Sequence, residues 1–139
     1  MLKTPTLMLI AATTALAGRA IGAEVDQSRP LENVKVIPAD TPRSEVTELM
    51  KHFTRSLGVR CSYCHVGEEG APLSTYDFAS DAKRNKRTAR FMMRMTYDLN
   101  DRHFGDEISA SKTDMRANAV TCYTCHRGST EPLTERPAS

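Results

Sequence analysis

The pentapeptide Cys61-Ser62-Tyr63-Cys64-His65 returns later in the chain as Cys122-Tyr123-Thr124-Cys125-His126, and these two copies hold all four cysteines of the 139 residues. Cys-x-x-Cys-His is the spacing of covalent haem attachment. Two thiols add to the two vinyl groups along one porphyrin edge, while the next residue turns its imidazole to the iron, so the three side chains must share one short helix. Rival uses of the same residues fit less well. Four thiolates could hold zinc, but the histidine after each pair would then be a coincidence. Cys-x-x-Cys disulfides are strained and redox-active rather than structural, and a thioredoxin-like motif needs a βαβ unit around it, which the sequence does not show. The reading is two covalently bound c-type haems, with Cys61, Cys64, Cys122 and Cys125 as thioether sites and His65 and His126 as iron ligands.

The motifs head an internal repeat, Val59-x-Cys61-x-x-Cys64-His65-x-Gly67 matching Val120-x-Cys122-x-x-Cys125-His126-x-Gly128. An amphipathic helix carrying methionine precedes each. Thr41-Pro42 opens the first, with Thr as cap and Pro in the first turn. Val46, Leu49, Met50, Phe53 and Leu57 follow at spacings of three and four, and Gly58 stops it. The second runs from about Ser80 to His103, with Ala89, Met92, Thr96, Leu99 and His103 on one stripe. Gly67 to Ala79 and Gly105 to about Asn118 read as loops. The expected fold is mainly α, with little or no sheet: two helix-turn-haem-binding-helix units around two haems, over residues 41–130.

Lys3 followed by the apolar run from Leu7 to Ala17 reads as a secretory signal peptide over residues 1–23, since Arg19 interrupts the run short of the roughly 20 apolar residues a spanning helix needs. The product is expected to be exported, periplasmic in a bacterium, soluble, and without a membrane anchor or lipid-bearing cysteine. Residues 24–40 read as an extended arm or short strand and 131–139 as a disordered tail. Residues 1–23 hold two bases and no acid, so removing them leaves seventeen bases against seventeen acids, too balanced for nucleic acid. Aromatics are only 6% of the chain and tryptophan is absent, which leaves a place in the core for something else to fill.

A second protein ligand on each iron separates a carrier from a catalyst. Met50, eleven residues before Cys61, lies on a helix that could cross a haem face before the chain reverses at Gly58, although a helical Met also commonly fills core gaps. For the second haem Met92 shares the apolar stripe. Met95 reaches the same place by a modest rotation, Met115 sits in a loop, and His103 ends the helix, where its dipole or a propionate would suit it. His52 points away from Met50 and reads as a solvated residue. Lys83, Arg84, Lys86, Arg87, Arg90 and Arg94 crowd the second helix. They suit propionate pairing, a solvated face with i,i+4 pairs, or docking of an acidic partner.

Leu49-Met50 through Cys61-Ser62-Tyr63-Cys64-His65, then Met92-x-x-Met95-Thr96-x-Asp98-Leu99-Asn100, then Val120-Thr121-Cys122 through Gly128, closely resemble the cytochrome subunit of photosynthetic reaction centres, over roughly Val34 to Leu133. The resemblance implies Met50 and Met92 as the second axial ligands, because the family places that Met on the helix before the motif. The family's photosynthetic members carry four attachment motifs and this sequence two, as half of such a protein or a small dihaem relative would. The expected function is single-electron transfer between redox proteins, a donor and an acceptor, toward a reaction centre or a respiratory chain, and not enzymatic catalysis. The alternative is a dihaem enzyme such as a peroxidase with one open iron, but no distal acid–base constellation stands out.

Overall fold

The computed structural model describes residues 30–105, 111–114 and 117–135. The expected signal peptide, residues 24–29 of the arm, Met115 and residues 136–139 lie outside the described residues. The described chain forms α1 (Arg43–Leu57), α2 (Cys61–Cys64), α3 (Arg84–Phe104) and α4 (Cys122–His126), with a 3-10 turn at Leu73–Thr75. Among the described residues there is no strand, only an antiparallel bridge between Val66 and Asp77. The chain is mainly α, as its periodicity predicts.

How the helices pair is not what the repeat suggests. α1 packs chiefly on α4, and α3 on α2, so the helix that precedes each motif in sequence supports the other motif's helix. The two halves interlock. Their turns meet at the backbone, where the Gly128 N–H donates to the Ser56 carbonyl at 2.9 Å. Gly58 has a φ of +66°, and a Cβ on it would lie 2.1 Å from the Gly128 carbonyl oxygen, so only glycine fits.

Helix ends follow local chemistry. Pro42, not Thr41, is the N-cap of α1, and no side chain caps that end. α3 starts at Arg84 rather than near Ser80, because the preceding turns hold the amides. The Asp77 carboxylate accepts the Ala79 and Ser80 N–H groups at 3.1 and 2.9 Å, and the Ser80 hydroxyl accepts that of Ala82 at 3.2 Å.

The core is small: Leu49, Met93 and Tyr97, with Val36, Ile37, Phe53 and Cys122 packed against it. The face α3 buries is offset from the expected stripe. Lys86, Met93, Thr96, Tyr97 and Asn100 are buried, whereas Met92 is half-buried and Leu99 and His103 are exposed. Tyr97 and Asn100 can face inward because their polar atoms find backbone partners: the Tyr97 hydroxyl donates to the Lys112 carbonyl at 2.6 Å, and Asn100 bonds Val120.

Residues 30–40 form no strand and lie against both halves. The Arg43 guanidinium donates to the Pro30 carbonyl at 2.9 Å, Arg90 to the Asn33 carbonyl at 2.7 Å, and Lys35 pairs with Asp81 at 2.9 Å. Among the described residues no helix is long and apolar enough to cross a membrane.

Candidate haem-attachment site

α2 is one turn long and carries Cys61 and Cys64, and His65 follows as its C-cap with φ −113° and ψ 149°. His65 therefore leaves the helix rather than continuing it, and its side chain enters the loop of residues 66–80. Its ring meets the edge of Phe78 at a centroid distance of 4.9 Å, and Phe78 stacks on Tyr76 at 5.6 Å. That loop is folded back by backbone bonds. The Asp77 N–H donates to the Val66 carbonyl at 2.8 Å, and the Tyr76 hydroxyl to the Glu68 carbonyl at 2.7 Å. The N-terminal end of α3 grips α2 from the other side: the Lys83 ammonium donates to the Ser62 carbonyl, and the Asn85 amide to that of Tyr63 at 3.2 Å.

Burial first, and then the positive charge of Lys86, push His65 down to about 4. The ring is neutral at pH 7, the form that can ligate a metal. Its buried Nδ1 has no hydrogen-bond partner. Burial also pushes the Cys64 thiol up, and the Cys122 thiol up to about 11.

α4 holds its whole motif. Thr121 caps it reciprocally with Thr124, whose hydroxyl accepts the Thr121 N–H at 3.0 Å. His126 Nδ1 lies 2.9 Å from the Ser129 carbonyl. A carbonyl can only accept, so Nδ1 carries the proton, and in the neutral ring Nε2 keeps the lone pair, the arrangement a metal-ligating histidine uses.

Before α4 two asparagines act as backbone surrogates. Asn100, 2% exposed, accepts the Val120 N–H at 2.9 Å and donates to the Val120 carbonyl at 2.7 Å. Asn118 does the same to Ser111, at 2.8 and 2.9 Å. The sequence reading assigned neither a role. The available signal was a poor helix former, Asn100, inside a long helix with no cap to serve.

Met50 and Met92 are each half-buried beside a core residue, but Met50 follows Leu49 and Met92 precedes Met93, so the two side chains are rotated about 100° from the packed direction in opposite senses. Met95 is 48% exposed. His52 is half-buried and not solvated, with Nε2 3.3 Å from the Ser56 hydroxyl.

Four of the six bases on and before α3 bond the protein's own backbone: Lys86 is buried and Lys83 and Arg90 are half-buried, while Arg87 stays exposed. Lys86 donates to the Phe78, Ala79 and Ser80 carbonyls at 2.8, 3.0 and 2.7 Å. Arg87 donates to the Asp81 carbonyl at 2.6 Å, Arg90 to the Asp81 carboxylate at 2.6 Å, and Lys83 grips α2. Lys35 foremost, then Asn33 and Arg90, hold the Asp81 carboxyl well below the usual carboxylate range.

These residues fit a haem at each motif. The cysteines are unpaired, and each pair shares a single-turn helix. One histidine is oriented by a carbonyl, and the other leaves a ring nitrogen without a partner in the interior. Among the described residues the core holds three buried apolar side chains, while Phe91 (61%), Met95, Leu99 and Tyr123 remain exposed. Among the described residues no three of His, Cys, Asp and Glu converge.

The family described as photosynthetic reaction centre cytochrome C subunit matches residues 32–135. The photosynthetic reaction center cytochrome c subunit of Rubrivivax gelatinosus is 34% identical over 104 residues, covering 68% of this chain and 26% of its own length. Cytochrome c-554 of Chloroflexus aurantiacus is 30% identical over 101 residues, covering 73% of this chain and 21% of its own. The chain thus spans about a quarter of one relative and a fifth of the other. The family match takes in α1 to α4 and the loops that brace them, and on that extent the chain belongs to the photosynthetic reaction centre cytochrome c subunit family.

Proposed function

We propose that this chain is an exported dihaem electron carrier that passes single electrons between redox proteins, toward a reaction centre or a respiratory chain. Its family is one of c-type cytochromes, which hold haem covalently and are electron carriers rather than enzymes. The observation that carries the reading is the build of the two motifs: each Cys-x-x-Cys pair occupies its own single-turn helix, and each of those helices is held by side chains from or before α3.

Bound haem supplies a one-electron couple at its iron. Cys61 and Cys64 would hold one haem and Cys122 and Cys125 a second. His65 with Met50, and His126 with Met92, would supply the protein ligands to the two irons. The protein side chains break no substrate bond. They orient the ligands, exclude water and set the local charge. The peroxidase alternative has no support among the relatives, which are cytochromes. Donor and acceptor would be redox proteins that meet the chain transiently, through small contacts.

Mass spectrometry of the denatured protein, made with a working haem-attachment system, tests this reading. Two haem additions, one on each Cys-x-x-Cys peptide, are expected. A mass equal to the bare polypeptide overturns it.

A further inference from the structure

We propose that the buried ammonium of Lys86, set behind His65 and only partly balanced by Asp81, holds the first-motif haem at a higher reduction potential than the second-motif haem. The inference rests on the function proposed above and adds a residue to it that touches neither iron nor porphyrin in that scheme.

Lys86 is 8% exposed, and its Nζ donates to the carbonyls of Phe78, Ala79 and Ser80. Three acceptors use three N–H protons, which only the ammonium form has, so the geometry itself fixes the charge. The first of those acceptors belongs to Phe78, whose ring lies against the His65 imidazole.

The surrounding charges do not cancel. Asp81 is the shared counter-ion of Lys35, Lys86 and Arg90, at 2.9, 3.4 and 2.6 Å, and Asp77 also acts on Lys86, so three cations face two carboxylates. Lys35 is half exposed and screened by water, whereas the Lys86 and Arg90 side chains are 10% and 13% exposed and act through protein. The second motif lacks that cation. His126 Nδ1 faces the Ser129 carbonyl much as His65 meets the Phe78 backbone, but among the described residues no buried cation stands behind His126.

The sign follows from the electron count. A donor redox protein loses one electron and the iron passes from ferric to ferrous, with no proton taken up, so the haem site becomes one unit less positive. A fixed cation nearby therefore favours the reduced state. One unit charge acting through an effective dielectric of about 20 over roughly 10 Å changes the redox equilibrium by about tenfold.

The test is spectroelectrochemical titration of the loaded wild type and of the Lys86→Met, Lys86→Arg and Asp81→Asn variants, with haem peptides mapped by mass. Lys86→Met is expected to lower the higher of the two wild-type midpoints by about tenfold in the equilibrium constant, or ~59 mV for a one-electron couple, and to leave the other in place; a shift of the lower one overturns the proposal. Asp81→Asn is expected to raise the same midpoint, and Lys86→Arg to hold it near wild type. Damage to the 77–83 turn would move Lys86→Met and Asp81→Asn in one direction, and that outcome, or no movement in either, overturns the proposal. Should Lys86→Met yield no folded protein, the sign of the Asp81→Asn shift decides alone. A wild-type chain with no haem on the Cys61–Cys64 peptide instead refutes the dihaem reading beneath it.

Discussion

Asn100 holds Val120 by both of its backbone groups, taking the N–H at 2.9 Å and giving to the carbonyl at 2.7 Å, two residues before Cys122. A helix side chain thereby does for the second motif what a neighbouring strand would do in a sheet. Its Nδ2 also donates to the Thr96 carbonyl at 2.8 Å, one turn back along α3, which fixes the amide plane.

Replacing Asn100 by Ala leaves both Val120 groups without partners, and the expected cost is about 2–4 kcal/mol in stability. Asn100→Asp keeps the acceptor but sets a carboxylate against two carbonyls, so it should be no better tolerated. Denaturant unfolding measures the loss. A change below about 0.5 kcal/mol for Asn100→Ala would show that the clamp does not hold the motif.

Gly58 and Gly70 both have positive φ, at +66° and +85°, but only the Gly58 position is crowded. Gly58→Ala combines left-handed strain of about 1–2 kcal/mol with a clash against the Gly128 carbonyl that adds about 1–3 kcal/mol. Gly70→Ala has no heavy atom within 4 Å of its new Cβ and should show the strain alone. Equal losses in urea unfolding would mean that the two turns do not meet as described.

Met92 and Met93 are neighbours with separate expected roles. Met92→Ala should abolish the methionine-to-iron charge-transfer band of one haem and lower its potential, as Met50→Ala should for the other. Met93→Ala should leave both bands in place and destabilise the core by about 2–5 kcal/mol, because Met93 packs with Leu49 and Tyr97. Absorbance and thermal unfolding of the three variants separate the roles, and loss of a band in Met93→Ala would shift the ligand register by one residue.

Asp81 links acidity to stability. Lys35, Asn33 and Arg90 depress its folded-state value below that of the unfolded chain, so its contribution is present above the unfolded value near 4 and fades as pH falls toward the folded one. Wild type should lose stability to Asp81→Asn on acidification from about pH 5 downward, and the two curves should converge. A stability difference that stays constant over that range would remove Asp81 from the acid response.

The chemistry of this protein was legible in its sequence because it is local. Cys-x-x-Cys-His confines two thiols and an imidazole to consecutive residues, and Gly58 announces a left-handed stop by its lack of a Cβ, so the attachment motifs, the α-helical class and the end of α1 followed from spacing alone. What packs against what is a long-range property that one-dimensional periodicity cannot encode. On α3 the apolar residues occupy more than one face, and the tertiary structure buried the one bearing Met93, Tyr97 and Asn100, since Val120 and Lys112 supply hydrogen-bond partners for its polar groups. The same holds for the basic run. Lys86, Arg87 and Arg90 look like a solvated face until the turn from Asp77 to Ala82 folds against them: its carbonyls, which no sequence pattern displays, accept from Lys86 and Arg87, and the Asp81 carboxylate accepts from Arg90.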